Sequence, residues 1–273
     1  MPKVLSIVNL KGGVGKTAIA VNFAAYAARN GYRTLLIDLD QQTNATFACI
    51  GIEQWQSHSD QNATLADLLG LRLHMRAESD QVNIDRVLIR DAFPNMDLIP
   101  SHVDLFTIDL DLASATGREF RLKRAISPIM SNYDLIVCDC PPNLTMSTQN
   151  ALAISTHYVV PVSPDFLSGI GIALLLNRIS RFCDDLQIQK LRLAGIVMSR
   201  VGRPAEHRTQ TIETIRAQFT SQVLNTQLVE RVAVSKSAEQ CIPVYDSGDS
   251  DAANEFTAMS RELLERIDAE HGQ

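Results

Sequence analysis

Positive charge is scarce in this sequence. The 273 residues include 25 Lys and Arg against 31 Asp and Glu, a formal net charge of −6, so the averaged field repels nucleic acid and anionic lipid. Long apolar runs are missing too. Leu135 to Cys138 and Ile170 to Leu176 fall far short of the roughly 20 residues a membrane-spanning helix needs, and no such helix is expected. The five cysteines (Cys49, Cys138, Cys140, Cys183, Cys241) are odd in number and scattered. That argues against a disulfide framework and for a reducing compartment, so a cytoplasmic location is expected. The opening residues, Met1-Pro2-Lys3-Val4-Leu5-Ser6-Ile7-Val8, lack a basic stretch followed by an apolar one and a cleavage site. They read as a first strand entered at once, leaving no room for an N-terminal helix-turn-helix. Internal repeats, low-complexity tracts and Pro/Gly/Ser linkers are also lacking, so one domain over residues 1–273 is expected.

What is present is ordinary globular material: 45% apolar and 21% charged residues, enough for a sizeable core. Val4 to Val8, Ala18 to Ala28 and Thr34 to Ile37 read as strand, buried helix and strand, with Gly31 at a helix C′ position. Buried strands recur at Leu135 to Cys138, His157 to Val162 and Leu193 to Met198. Helices are expected at Thr145 to Ile154, Leu167 to Phe182 and Ala205 to Phe219. The alternation implies an α/β fold, a doubly wound and mostly parallel sheet with helices on both faces. Between residues 51 and 131 the pattern gives short helices at Leu65 to Leu69 and Ile84 to Ile89, a strand at Met96 to Ile99, and helices around Leu105 to Leu112 and Arg118 to Ile129. A last helix, Asp251 to Ala269, carries Ala252, Phe256, Met259, Leu263 and Ile267 on one stripe. Its acidic remainder favours packing on the body over a membrane anchor.

The segment Lys11-Gly12-Gly13-Val14-Gly15-Lys16-Thr17 lies between the first strand and the first helix. Phosphate chains need converging N–H donors, a cation and a hydroxyl for Mg²⁺. Here glycines let the backbone wrap a phosphate, the helix N-terminus adds its positive end, Lys16 reaches the β- and γ-phosphates and Thr17 can ligate the metal. Leu10 occupies the first glycine position of the usual G-x-x-x-x-G-K-[ST] pattern, so this is a variant P-loop with a second lysine. An ammonium such as Lys11, at the end of a buried strand, is costly unless a strong anion meets it, and its expected partner is phosphate.

Two further strand ends carry acids. Asp38-Leu39-Asp40 ends the second strand, where open α/β sheets bind ligands. A carboxylate there can hold a Mg²⁺-bound water or orient the attacking water. Tyr133 to Asp139 is an apolar strand ending in an acid, the Walker B arrangement, which sets Asp139 beside a magnesium-bound water. Cys138 and Cys140 flank Asp139, but no other Cys or His stands at ligand spacing, so they read as buried packing.

Together, K-G-G-V-G-K-T, D-L-D-x-Q-x-N-A-T (Asp38 to Thr46) and D-C-P-P-N-L (Asp139 to Leu144) closely resemble the ParA/Soj/MinD family of deviant Walker A P-loop ATPases. The likeness extends over most of the chain. Met96 to Ser101 is similar to that family's N-L-x-L-I-P-S strand, Val160-Pro161-Val162 to its I-P-V segment, and Val234 to Val244 to the stretch before its final helix. The resemblance implies ATP and Mg²⁺ as cofactors and an ATP-bound sandwich homodimer, with Lys11 crossing to the partner's phosphates while Lys16 serves its own. It implies nucleotide contacts from Lys11 through Ala18 (Gly12, Gly13, Val14, Gly15, Lys16 and Thr17 between), with Ser199 and Arg200 as adenine neighbours. It also implies that Asp40 orients the attacking water, that Thr17 ligates Mg²⁺ and that Asp38 and Asp139 hold metal-bound waters. ParA-like members coat nucleoid DNA and are released when a ParB-like partner on the cargo stimulates hydrolysis. Nucleoid association is therefore expected, and a membrane partner is not.

Departures mark the limits of the likeness. Gln41 replaces the usual proline, Ala18 a frequent threonine, and Glu230 and Ala233 stand where the family often has arginines. Charge is nonetheless uneven: residues 178 to 236 hold ten Lys/Arg and five Asp/Glu, net +5, whereas residues 239 to 273 hold two and nine, net −7. Arg200, Arg203, Arg208, Arg231 and Lys236 are the candidate DNA contacts. The alternatives are a MinD-like membrane-cycling ATPase, which would need a basic C-terminal helix, and a metabolic or redox enzyme on the same fold.

Overall fold

The computed structural model describes residues 2–71, 82–165, 168–202 and 206–269. Strand β1 (Lys3–Ile7) leads through the glycine-rich loop into α1 (Lys16–Arg29), then β2 (Thr34–Asp38) and α2 (Asn44–Gln61), which is kinked at Gly51. After α3 (Leu65–Leu68) come β3 (Ile89–Phe93), β4 (Met96–Ile99), α4 (Ile108–Asp111) and α5 (Arg121–Ile126). The chain continues through β5 (Leu135–Asp139), α6 (Met146–Ile154), β6 (His157–Val162), α7 (Ser168–Asp185), β7 (Arg192–Val201) and α8 (Glu206–Phe219). It ends with β8 (Val223–Val229), α9 (Val232–Glu239) and α10 (Ser250–Asp268).

Among the described residues the strands form one eight-stranded sheet in the order β3-β4-β2-β5-β1-β6-β7-β8. Every pairing is parallel except β3 with β4. This is the doubly wound α/β fold the alternation implied. The chain builds outward from β1 on one side through β5 and then crosses to the other side at β6, so β1 sits at the topological switch point, where the crevice beyond the strand ends binds ligands. Strand periodicity divides the side chains into two cores. Leu35, Ile37, Ile136, Cys138, Val160 and Ile196 face Leu122, Leu152, Ile172, Leu175 and Ile215 of α5 to α8. Leu5, Ile7, Leu36, Val137, Val159 and Val197 face Phe23 of α1, Ala48 of α2 and Phe256, Met259 and Leu263 of α10.

Several expectations are corrected. Ile84 to Ile89 is a 3₁₀ turn (Ile84–Arg86) running into a strand, because the segment is an antiparallel edge whose Asp91 takes a positive φ of 48° and shifts the register. The helix around Leu105 to Leu112 is 3₁₀ over Val103–Thr107 and α-helical only at α4, and that around Arg118 to Ile129 closes as α5 after a 3₁₀ turn. Three elements carry no pattern that announces them: α2, β8 and α9. The apolar stripe of α10 is packed as expected, with Ala252, Phe256, Met259, Leu263 and Ile267 all at most 3% exposed. Asp249 caps that helix through the Ala252 N–H at 3.0 Å. Among the described residues no helix is long and apolar enough to cross a membrane.

Gly195 marks the tightest point of β7: a Cβ there would lie 2.0 Å from Cδ1 of Leu224, itself wholly buried on β8. Gly195→Ala should therefore destabilise the fold by about 1–3 kcal/mol, the usual cost of overpacking. A thermal melt unchanged from the wild type would contradict this.

Candidate functional site

The phosphate loop is held at both ends. Asn9 donates its amide to the Pro161 carbonyl of β6 at 2.5 Å and accepts the Lys11 N–H at 2.9 Å. Gly13 and Gly15 adopt φ of 73° and 83°, left-handed values that only glycine takes without strain. Gly15 begins α1 without a side-chain cap, so the first-turn N–H groups of α1 remain directed at the loop. The end of β7 braces the loop from outside. Ser199 donates its hydroxyl to the Val14 carbonyl, and Arg200 Nη1 donates to the Gly13 carbonyl at 2.7 Å while its Nε reaches Glu230 at 3.0 Å. Ser199 and Arg200 thus stand against the loop backbone itself.

Within this frame the two lysines diverge. Lys16 is only 6% exposed and donates Nζ to the Lys11 carbonyl at 3.1 Å. Burial holds its ammonium below the ordinary lysine range, and the charges of Asp139 and Asp40 oppose that shift. The Lys11 side chain is 59% exposed and ion-paired with Asp165. The expectation of an ammonium buried at the strand end is therefore corrected: the Lys11 side chain is largely exposed and meets the Asp165 carboxylate.

Asp38 and Asp139 end β2 and β5 as cross-strand neighbours, both wholly buried. Asp38 Oδ1 accepts the Asp40 N–H at 3.1 Å, and Oδ2 accepts the N–H and hydroxyl of Thr46 at 2.8 and 2.7 Å. Both its oxygens are thereby committed to the loop and to the first turn of α2. Among the described residues neither oxygen of Asp139 has a hydrogen-bond partner, although the Thr17 hydroxyl lies near enough to favour its charge. Burial pushes Asp139 well above the usual carboxylate range, and the charge of Asp38 adds to that. Burial likewise raises Asp38, to about 7, against the hydrogen bonds from Thr46 and Asp40. An orphaned buried carboxylate beside a hydroxyl and an ammonium fits a divalent cation held against phosphate.

These groups open onto a cleft of about 1250 Å³ lined by the loop, Asp40, Pro142, Ser199, Arg200 and faces of α2 and α9. The structure thus gathers Lys16, Thr17, Ala18, Asp40, Ser199 and Arg200 at one cavity, with Asp38 and Asp139 directly behind. Of the expected DNA-binding residues, Arg200 and Arg231 also line this cleft. Arg200 is tied to Glu230 and the loop, and Arg231 is paired with Asp251 and Glu255. The Arg208 guanidinium lies against Gly202, Lys236 is exposed on α9, and Arg203 lies outside the described residues. Sequence reasoning missed the walls of the cleft, α2 and α9, which carry no chemical motif. It also missed Glu230 as the brace of Arg200, since in the sequence that position shows only an absent arginine.

A P-loop at the switch point of a doubly wound sheet, with two lysines and two strand-end carboxylates, defines a nucleotide-binding protein of deviant Walker A type. The chain matches the AAA domain family over residues 2–192. It is 32% identical to the sporulation initiation inhibitor protein Soj of Bacillus subtilis over 90% of this chain and 92% of that one. Its fold is similar to a plasmid partition protein of Borrelia burgdorferi bound to AMPPNP, with TM-score 0.78 and 24% identity over 97% and 100% of the two chains. It is similar also to cobyrinic acid a,c-diamide synthase of Mycobacterium smegmatis with bound ADP and magnesium, with TM-score 0.76 and 25% identity over 97% and 95%. The chain belongs to the ParA/Soj family of P-loop ATPases.

The raised carboxyls carry a pH signature. In the folded chain Asp38 keeps a proton that the unfolded chain releases near 3.8, so the stability this contributes is fully present below 3.8 and is lost as pH rises through about 7, and the raised Asp139 beside it acts in the same direction. Melting temperature without added divalent cation should fall across that window, and Asp139→Asn should flatten the fall. A wild-type profile rising over the same range would contradict the assignment.

Proposed function

We propose that the chain is a Mg²⁺-dependent ATPase that dimerises around ATP, binds DNA without sequence preference and positions a cargo. The observation that carries this reading is the opposite fate of two lysines in one loop: Lys16 is buried under its own phosphate site, whereas Lys11 projects from it into solvent. A single subunit has one ammonium for its own nucleotide and one for a neighbour's.

ATP brings the scissile phosphoanhydride, and Mg²⁺ neutralises charge on it. The first-turn N–H groups of α1 and the Lys16 ammonium bind the phosphates, Thr17 and Asp139 hold the cation and its waters, and Asp40 orients the attacking water. Asp38 serves as the anchor of the loop that carries Asp40, since its oxygens are already engaged. Ser199 and Arg200 fix the outer wall of the loop and border the space for the base. Lys11 leaves Asp165 to complete the partner's site. Hydrolysis, stimulated by a ParB-like or other cargo-bound adaptor, then dissolves the dimer and frees the DNA, giving nucleoid association that follows the nucleotide cycle. A membrane-cycling role finds no support in α10, whose apolar stripe is packed against the sheet.

Lys16→Ala should lose ATP binding, dimerisation and DNA binding together, whereas Asp40→Ala should form ATP-dependent dimers that do not turn over. Sizing and phosphate release measured in parallel separate the two. Normal turnover in Asp40→Ala would reject its catalytic assignment. For DNA, Lys236→Glu with Arg208→Glu should weaken binding equally across sequences and reduce the salt slope by about 0.9 for each phosphate no longer neutralised. Unchanged binding in a mobility assay would remove this face.

A further inference from the structure

Asp40 lies in the loop between β2 and α2, where Thr43 already takes a left-handed backbone of φ 59°. Along the loop its carboxylate accepts a local donor, the Gln42 N–H at 3.0 Å from Oδ1. Its main chain, by contrast, is gripped from both sides. The Asp40 N–H donates to Asp38 at 3.1 Å, and the Asp40 carbonyl accepts the Ser101 hydroxyl at 2.6 Å.

Ser101 comes from a different strand, two residues beyond the end of β4, and is wholly buried. Its own N–H donates to the Thr46 hydroxyl oxygen at 3.0 Å, and that hydroxyl donates to Asp38 at 2.7 Å. Asp38, Asp40, Ser101 and Thr46 therefore close a ring, and all four are at most 6% exposed. The outer side of the ring is sealed by Trp55, which donates Nε1 to the Ser101 carbonyl at 3.0 Å and packs its ring 5.3 Å from that of Phe47 and 5.7 Å from that of His102.

We infer that Ser101 is a positioning residue for hydrolysis: with Thr46 as second anchor, it fixes the backbone on either side of Asp40 and so aims the carboxylate. The inference rests on the reading of Asp40 as the group that orients the attacking water. The physical ground is that a carboxylate on a short loop is only as well placed as its Cα. Both peptide groups flanking that Cα end on buried partners, and one of these belongs to an element remote in sequence. Removing the Ser101 hydroxyl leaves the Asp40 carbonyl with the Thr43 N–H of its own loop at 2.9 Å and takes away its tie to β4, so the loop peptide can rotate while the phosphate loop and Lys16 are untouched. Turnover then falls and nucleotide affinity does not.

The test is steady-state MgATP turnover on the full chain with Ser101→Ala, Thr46→Val, Thr46→Ser and Asp40→Ala. Ser101→Ala and Thr46→Val should lower kcat by about 10- to 100-fold, the range for a displaced catalytic group. KM for ATP should stay within about twofold, and Thr46→Ser, which keeps the hydroxyl, should recover most of the activity. Trp55 is the sole tryptophan of the chain, and unchanged emission in the variants shows that the outer wall of the ring still stands. If Ser101→Ala does not fold, the Thr46→Val and Thr46→Ser pair decides alone. A kcat near wild type in the hydroxyl-free variants, or a loss appearing in KM alone, overturns the inference. Should Asp40→Ala itself turn over ATP normally, the underlying reading of Asp40 fails and takes this one with it. An inactive Asp40→Ala beside a fully active Ser101→Ala defeats the positioning role only.

Discussion

The site depends on charge placed where water is scarce. Lys16, Asp38 and Asp139 meet at the ends of three neighbouring elements, each 6% exposed or less. Isolated buried ions carry a desolvation penalty of several kcal/mol each, on the order of the whole stability of a small domain. Mutual attraction offsets part of it. The remainder is visible in the titration behaviour, since burial lowers the ammonium and raises both carboxyls. A polyphosphate with its divalent cation supplies the missing opposite charges at once. The same groups that carry this desolvation cost therefore favour nucleotide binding, and ligand binding stabilises the fold by mass action.

Topology makes that concentration of charge achievable. The sheet reverses direction of growth at β1, so the loops after β1, β2, β5 and β7 emerge side by side at one edge. Unusual backbone collects there. Gly13, Gly15, Thr43, Asn143 and Arg200 all have positive φ, and all lie in the loops bordering the cleft or at a strand end that braces it. For Thr43, Asn143 and Arg200, which are not glycine, such backbone is strained and persists only where surrounding contacts over-determine it. Here the contacts are specific: Asn9 on Pro161, Ser199 on Val14, Arg200 on Gly13 and Ser101 on Asp40.

Legibility in the sequence follows burial. Strands β1, β2, β5 and β6 and helices α1, α6 and α10 are legible directly, because elements covered on one or both faces must carry regular apolar patterns. The edges are not. Ile89–Phe93 carries Arg90 and Asp91 in mid-strand, and Val223–Val229 exposes Asn225 and Gln227, so neither resembles a buried strand. Helix α2 is interrupted at Gly51 and largely polar. At the site, motif residues are legible because polyphosphate chemistry dictates their types and spacing. Ser101 is visible only as part of a likeness, since a serine after a strand carries no signal until the fold brings it against Asp40. The surroundings of the DNA candidates are hidden for a related reason: sequence shows how many arginines a region holds, but not that Arg200 and Arg231 already have carboxylate partners.

On the proposed reading, the contrast between Lys11 and Lys16 accounts for one loop serving two subunits. Five residues apart, they carry the same side chain in opposite surroundings. The exposed Lys11–Asp165 pair is of a kind worth about 0–1 kcal/mol, so surrendering it is nearly free. Lys16 is enclosed by backbone and carboxylates and has no comparable freedom to leave. On the proposed reading, the residue that must change partners is held weakly and the one that must stay is held by burial. Assembly of the proposed dimer would then need transfer of a surface ammonium from Asp165 to a stronger anion across the interface, with Lys16 left where burial holds it.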